Sequence, residues 1–174
     1  MSRRIRRFGF TLLSALVLPV MLSADASAQQ VVYLVRHAER ADQQAPGGQM
    51  MAATDPPLSP AGEARATRLA AMLKDAGIST IFTTDYRRTR DTGAPLAASL
   101  GKSVVVHPAR DTPGLVARLR AEHSRDVVLV VGHSNSVPDI IKALGGPTIT
   151  IAESEYDNLF VFVPATGALS RIRF

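Results

Sequence analysis

Three short segments of this chain carry imidazoles or guanidiniums: Arg36-His37, Arg87-Arg88-Thr89-Arg90 and Gly132-His133-Ser134. Each follows a segment that reads as a strand: the apolar runs 31–35 and 127–131 for the first and third, and the short strand 78–83 for the second. A phosphoryl group suits such a lining, because guanidinium forks hold its oxygens in bidentate pairs that a lysine cannot reproduce. A histidine that titrates near neutrality can be a neutral nucleophile toward phosphorus, and it becomes phosphorylated when it attacks. A helix beginning near Ser136 would add backbone N–H donors to the same place. The chemistry these residue types point to is phosphoryl transfer with no metal and no cofactor.

Such chemistry needs elements that bring the three segments together. Buried strands deliver their C-terminal ends to one crevice in an open α/β sheet, so strand-end histidines can share it. The pattern predicts strands over 31–35, 78–83, 102–107, 127–131, 159–163 and 169–174. Between them, Ser59-Pro60 offers an N-cap and an N1 proline for a helix closed by Gly77. Asp85 can cap a second helix running to about Leu100 with Pro95 kinking it, and helices over 113–123 and 138–144 follow. The expected fold is α/β: a single three-layer αβα domain with a mainly parallel sheet, its last strand or two antiparallel.

The first 28 of the 174 residues stand apart. Arg3, Arg4, Arg6 and Arg7 form a basic head, residues 8–22 are nearly all apolar, and Ala26-Ser27-Ala28 fits a cleavage site, which is the pattern of a secretory signal peptide. Residues 29–174 are then the catalytic domain, exported to a bacterial periplasm or the cell exterior and not stably inserted in membrane. An uncleaved anchor is the alternative. Four of the 20 Lys and Arg and one of the 15 Asp and Glu fall in that leader, leaving the remaining chain near neutrality. The high pI is therefore not a nucleic-acid footprint. With no cysteine there are no disulfides, thiolate metal sites or cysteine nucleophiles.

Val35-Arg36-His37-Ala38-Glu39 resembles the signature of the histidine phosphatase superfamily, the phosphoglycerate-mutase-like fold. Pro57-Leu58-Ser59-Pro60-Ala61-Gly62 is similar to that family's first-helix segment, and residues 83–92 to its second arginine segment. Val131-Gly132-His133-Ser134-Asn135 is similar to its second-histidine segment. The resemblance implies that His37 accepts the phosphoryl group, that Arg36 and Arg88 clamp it, and that His133 stabilises its oxygens. Counting back from Thr92 aligns Arg88 rather than Arg87. Larger family members carry a general acid in an insertion before the second histidine or just after it. Here Ser134 takes the latter position and the interval 107–126 is short, so Asp111 is the first candidate acid, with Glu39 and Glu153 behind it. Asp111, close to Pro113, also suits a helix cap.

Plainer roles compete at several positions. Arg87 and Arg90 read as rim charges, His107 and His123 as structural, Asn135 and Ser136 as a helix start, and 155–158 as a pocket border or a polar turn. Two other classes remain: a non-catalytic phosphate-binding module using the same cations, and a serine esterase. In the second, Gly132-His133-Ser134-Asn135-Ser136 would be a nucleophile elbow, but no histidine follows Ser134 in the chain as that order requires. A metallohydrolase lacks H-E-x-x-H. The reading that results is a phosphomonoesterase. Its substrate is a small phosphorylated molecule, a phosphoprotein or a phosphorylated glycolipid, reached under a mobile rim formed by residues 38–57.

Overall fold

Two Val-rich runs, residues 31–35 and 127–131, lie side by side at the centre of one sheet, where burial on both faces favours them. The computed structural model describes residues 30–43 and 55–174, so the expected leader and residues 44–54 of the rim fall outside the described residues. The elements are β1 (Val31–Arg36), α1 (Pro60–Leu73), β2 (Thr80–Thr84), α2 (Arg87–Ser99), β3 (Val105–His107), α3 (Thr112–Glu122), β4 (Val127–Gly132), α4 (Ser136–Ala143), β5 (Asn158–Val163) and β6 (Ala168–Arg173). Strand order across the sheet is β3-β2-β4-β1-β5-β6. Strands β1 to β4 are mutually parallel, β5 is antiparallel to β1, and β6 turns back antiparallel to β5.

Alternation along β4 sorts the core into two halves. Val128 and Val130 pack with Leu115 and Leu119 of α3 and Ile140 and Ile141 of α4. Leu129 and Val131 face the other way, onto Leu69 and Leu73 of α1 and Leu96 of α2. This is the three-layer αβα domain expected from the sequence. Its core side chains are almost wholly removed from water, each contributing about 1.5–3 kcal/mol of transfer free energy.

Local signals differ in how well they survive. Ser59 caps α1 as expected, its Oγ accepting from the Gly62 N–H at 3.1 Å with Pro60 in the first turn. Asp85 does not cap α2: Tyr86 holds the cap position without a side-chain bond, and Asp85 Oδ1 instead accepts from the Ala109 N–H at 2.8 Å. Pro95 lies within α2, which continues past it to Ser99. Strand β3 is confined to Val105–His107, the residues that find partners on Phe82–Thr84. Helix α4 starts at Ser136, where Asn135 and Ser136 read as a helix start, and takes Pro138 into its first turn, since a first-turn proline gives up a donor that has no intrahelical partner.

The start of α1 is pressed against the segment after β1. The Ser59 N–H donates to the Glu39 carbonyl at 2.9 Å, and a Cβ on Gly62 would lie 2.3 Å from that same oxygen. Gly62→Ala is therefore expected to destabilise the protein by about 1–3 kcal/mol, the usual scale of overpacking against backbone. An unchanged denaturation midpoint would contradict this contact.

Candidate active site

Register decides which side chains meet. Strands β1 and β4 pair with Arg36 opposite Gly132, and the His37 N–H donates to the Gly132 carbonyl at 2.9 Å, carrying the ladder one residue further. His37 and His133 thus leave adjacent strands at the same level, with ring centroids 5.4 Å apart and planes at 65°. Gly132 keeps the approach open: a Cβ there would come within 2.8 Å of Ser136 Oγ, which accepts from the His133 N–H at 2.9 Å.

His37 is 4% exposed, and its Nδ1 lies 2.8 Å from the Ala38 carbonyl oxygen. A carbonyl can only accept, so Nδ1 carries the proton and Nε2 keeps its lone pair. Burial, with the charges of Arg88, His133 and Arg36 adding to it, lowers the His37 pKa to about 3. For His133 burial leads again, followed by Arg88 and Arg36, and its pKa falls to about 4. Thr84 Oγ1 lies 3.2 Å from His133 Nε2. At neutral pH both imidazoles are uncharged, and the positive charge of the site resides on arginine.

Two guanidiniums supply it. Arg36, 4% exposed, gives Nη1 to the carbonyls of Ala152, Glu153 and Glu155 and Nη2 to Glu153 Oε2 at 2.6 Å. Its plane lies 4.2 Å from the centroid of Tyr156, whose ring is 6.1 Å from that of His37. Arg88 stacks on Tyr86 at 4.1 Å, and Tyr86 in turn meets His133 edge-on at 5.5 Å. Asp55 stands 3.9 Å from both Arg88 and Arg90. The Nε–H groups of Arg36 and Arg88 are buried without a hydrogen-bond partner. Orphaned buried donors are rare and costly, and a pair of them beside two imidazoles suits an oxyanion that would satisfy both.

The sequence model of the histidine phosphatase superfamily (branch 1) matches residues 32–111, which span β1 to the edge of α3. Among solved structures, the protein histidine phosphatase SixA complexed with tungstate is similar over 82% of this chain and 94% of its own, at 18% identity and a TM-score of 0.60. A mutant phosphoserine phosphatase from Entamoeba histolytica complexed with phosphoserine matches over 83% and 96%, at 14% identity and a TM-score of 0.61. The mycobacterial glucosyl-3-phosphoglycerate phosphatase matches over 75% and 88%, at 17% identity and a TM-score of 0.56. The chain has the histidine phosphatase fold. No curated protein sequence matches it significantly.

Within this histidine phosphatase fold, the candidates read from sequence part company. Arg36, His37, Arg88 and His133 gather at the carboxyl edge of the sheet. Asp111 does not join them. Its carboxylate caps α3, accepting from the Gly114 N–H at 3.0 Å, and lies 3.3 Å from His107, while its contacts include none of the four. A side chain spent on capping its own helix is turned toward that helix's first N–H groups. Glu39 is also committed elsewhere: Arg65 grips both its oxygens at 2.6–3.0 Å. Burial pushes the Glu39 pKa up, but those bonds outweigh it and hold the carboxyl below its ordinary range. The carboxylate that does reach the cluster is Glu153, which accepts from Arg36 and, at 2.6 Å, from Ser134 Oγ. Ser134 therefore donates to a carboxylate and has no histidine base, contrary to what an esterase elbow needs.

Tyr156 belongs to the 155–158 segment read as a pocket border or a polar turn, and its ring does border the site; Thr92 served only to align Arg88, and Tyr86 and Thr84 have no role of their own in the sequence reading. Thr92 Oγ1 accepts from the Ala38 N–H at 2.9 Å and donates to the Arg88 carbonyl at 2.7 Å, locking α2 to the segment after His37. A threonine four residues after an arginine gave a local hint, since that spacing lets its hydroxyl bond the earlier carbonyl.

A histidine NMR titration of the unliganded protein should find His37 as the Nδ1–H tautomer and both His37 and His133 neutral down to about pH 5. Folding makes both rings harder to protonate, so the unfolded chain binds more protons below about pH 6.5. Their contribution to stability is full above that value and is lost as acid approaches pH 3–4. Titration of either ring near 6.5 would contradict the desolvation described.

Proposed function

We propose that this protein is a phosphomonoesterase that works through a phosphohistidine on His37, without a metal ion. The observation that carries the reading is the Nδ1–H bond to the Ala38 carbonyl, which leaves an uncharged Nε2 beside two arginines and a second imidazole. In the proposed cycle Nε2 attacks phosphorus in line, the ester oxygen departs, and water then hydrolyses the phosphohistidine. Arg36 and Arg88 offer their free Nε–H groups to the transferring oxygens. His133, kept neutral by burial and by the charges of the same arginines, gains a proton more readily once a phosphate dianion offsets those charges.

The phosphorylated molecule is a small metabolite, a phosphoprotein or a surface glycolipid. We also propose export, with the leader removed after Ala28, which an N-terminal mass measurement of the mature protein would test by finding Gln29 first. A binding module using the same cations would hold oxyanions without turnover.

Turnover of an aryl phosphate by the purified protein in excess chelator separates these readings. The wild type is expected to be active, His37→Ala to fall at least about a thousandfold as expected for loss of a nucleophile, and a phosphoryl label on His37 to be acid-labile and base-stable. Activity lost in chelator and restored by zinc or magnesium would overturn the metal-free mechanism. Binding without turnover would favour the module.

A further inference from the structure

The cycle just described needs a proton for the departing ester oxygen, and Asp111 and Glu39 are both engaged elsewhere. Glu153 is placed differently. It sits in the segment between α4 and β5, 79% exposed, with one carboxylate oxygen on Arg36 Nη2 and the other on Ser134 Oγ, each at 2.6 Å. Those partners immediately flank the two histidines in sequence: Arg36 precedes His37 and Ser134 follows His133. The carboxylate therefore bridges the two strand ends that would hold the phosphate.

Its backbone is held as firmly as its side chain. The Arg36 guanidinium takes the carbonyls of Ala152, Glu153 and Glu155, and Glu155 bonds the Ala152 N–H, Arg171 and Arg173. The segment is pinned both to β1 and to β6 while the Glu153 carboxylate stays open to solvent.

We propose that Glu153 is the acid–base catalyst of this phosphatase, an inference that rests on the phosphohistidine reading above. A phosphate oxygen taking a hydrogen bond from the Arg36 fork would lie within about 5 Å of a carboxylate on the same Nη2, given ordinary hydrogen-bond lengths. Around the Glu153 carboxylate stand Arg36 from β1, Arg40 from the segment after it, Ser134 from the end of β4 and Tyr156 from its own segment. In the free protein the Ser134 hydrogen bond, followed by the charge of Arg36, holds the carboxyl below its ordinary range. A phosphate dianion changes both influences: it competes for Arg36 and repels a second negative charge, so proton binding to Glu153 becomes favourable as substrate arrives.

The proton then balances across the cycle. As the His37 Nε2–P bond forms, the P–O ester bond breaks and its electron pair leaves on oxygen, which takes the proton of Glu153. The Glu153 carboxylate next accepts a proton from water as the water oxygen bonds to phosphorus, and the N–P electron pair returns to His37. Glu153 ends protonated, as it began, and the products are alcohol and hydrogen phosphate.

The test compares two esters of nearly the same shape, p-nitrophenyl phosphate and phenyl phosphate, on wild type and Glu153→Gln. Phenolate is as basic as a tyrosinate, with a pKa of about 10, and needs the acid, whereas nitrophenolate leaves easily. The expected result is a loss of kcat/KM at least tenfold greater for phenyl phosphate, with an unchanged melting temperature because the side chain is exposed. Equal losses on the two esters, no loss on either, or a wild type active on the nitrophenyl ester alone would each overturn the assignment and leave the phosphohistidine reading intact. A wild type inert toward both esters would remove that reading and this inference with it.

Discussion

Everything at the site depends on one backbone relationship, the in-register parallel pairing of β1 with β4. Because Arg36 faces Gly132, the next residues on each strand are His37 and His133, and the His37 N–H closes the ladder on the Gly132 carbonyl. A shift by one residue would send every side chain of one strand to the opposite face. The two core clusters oppose such a shift, since Val128 and Val130 serve one helical layer and Leu129 and Val131 the other. The energy of the hydrophobic core thus fixes the separation of the imidazoles.

The second constraint is electrostatic. Burial, reinforced by two nearby guanidiniums, keeps the histidines uncharged, and each guanidinium also carries a buried N–H without a partner. Desolvated donors of this kind are costly at rest and strong once an anion arrives. Counter-ions on the protein sit at the border: Glu153 on Arg36 and Asp55 near Arg88. The tyrosines hold the guanidinium planes by stacking, which orients them without neutralising them.

What was legible in the sequence was what neighbouring residues decide among themselves. Runs of Val and Leu named β1 and β4, and the histidines at their ends followed from where such runs stop. Ser59-Pro60 named the start of α1 because capping is settled within one turn. Asp111 follows the same rule: its closeness to Pro113 pointed to a cap, and its side chain caps α3. Glu153 was ranked behind it because its place depends on Arg36, 117 residues away, and no periodicity records such a contact. Asp85 was misjudged for a like reason, since its partner Ala109 belongs to a segment brought near only by the pairing of β2 with β3.

The central claim is that four side chains from the ends of β1 and β4 and the first turn of α2 form a receptacle for one tetrahedral oxyanion. A crystal structure of the protein with tungstate tests it most directly. The account predicts the metal-oxide anion within bonding or hydrogen-bonding distance of His37 Nε2, with His133 and the Nε–H groups of Arg36 and Arg88 on its oxygens. An anion seated elsewhere, or His37 and His133 directed to opposite faces of the sheet, would contradict it.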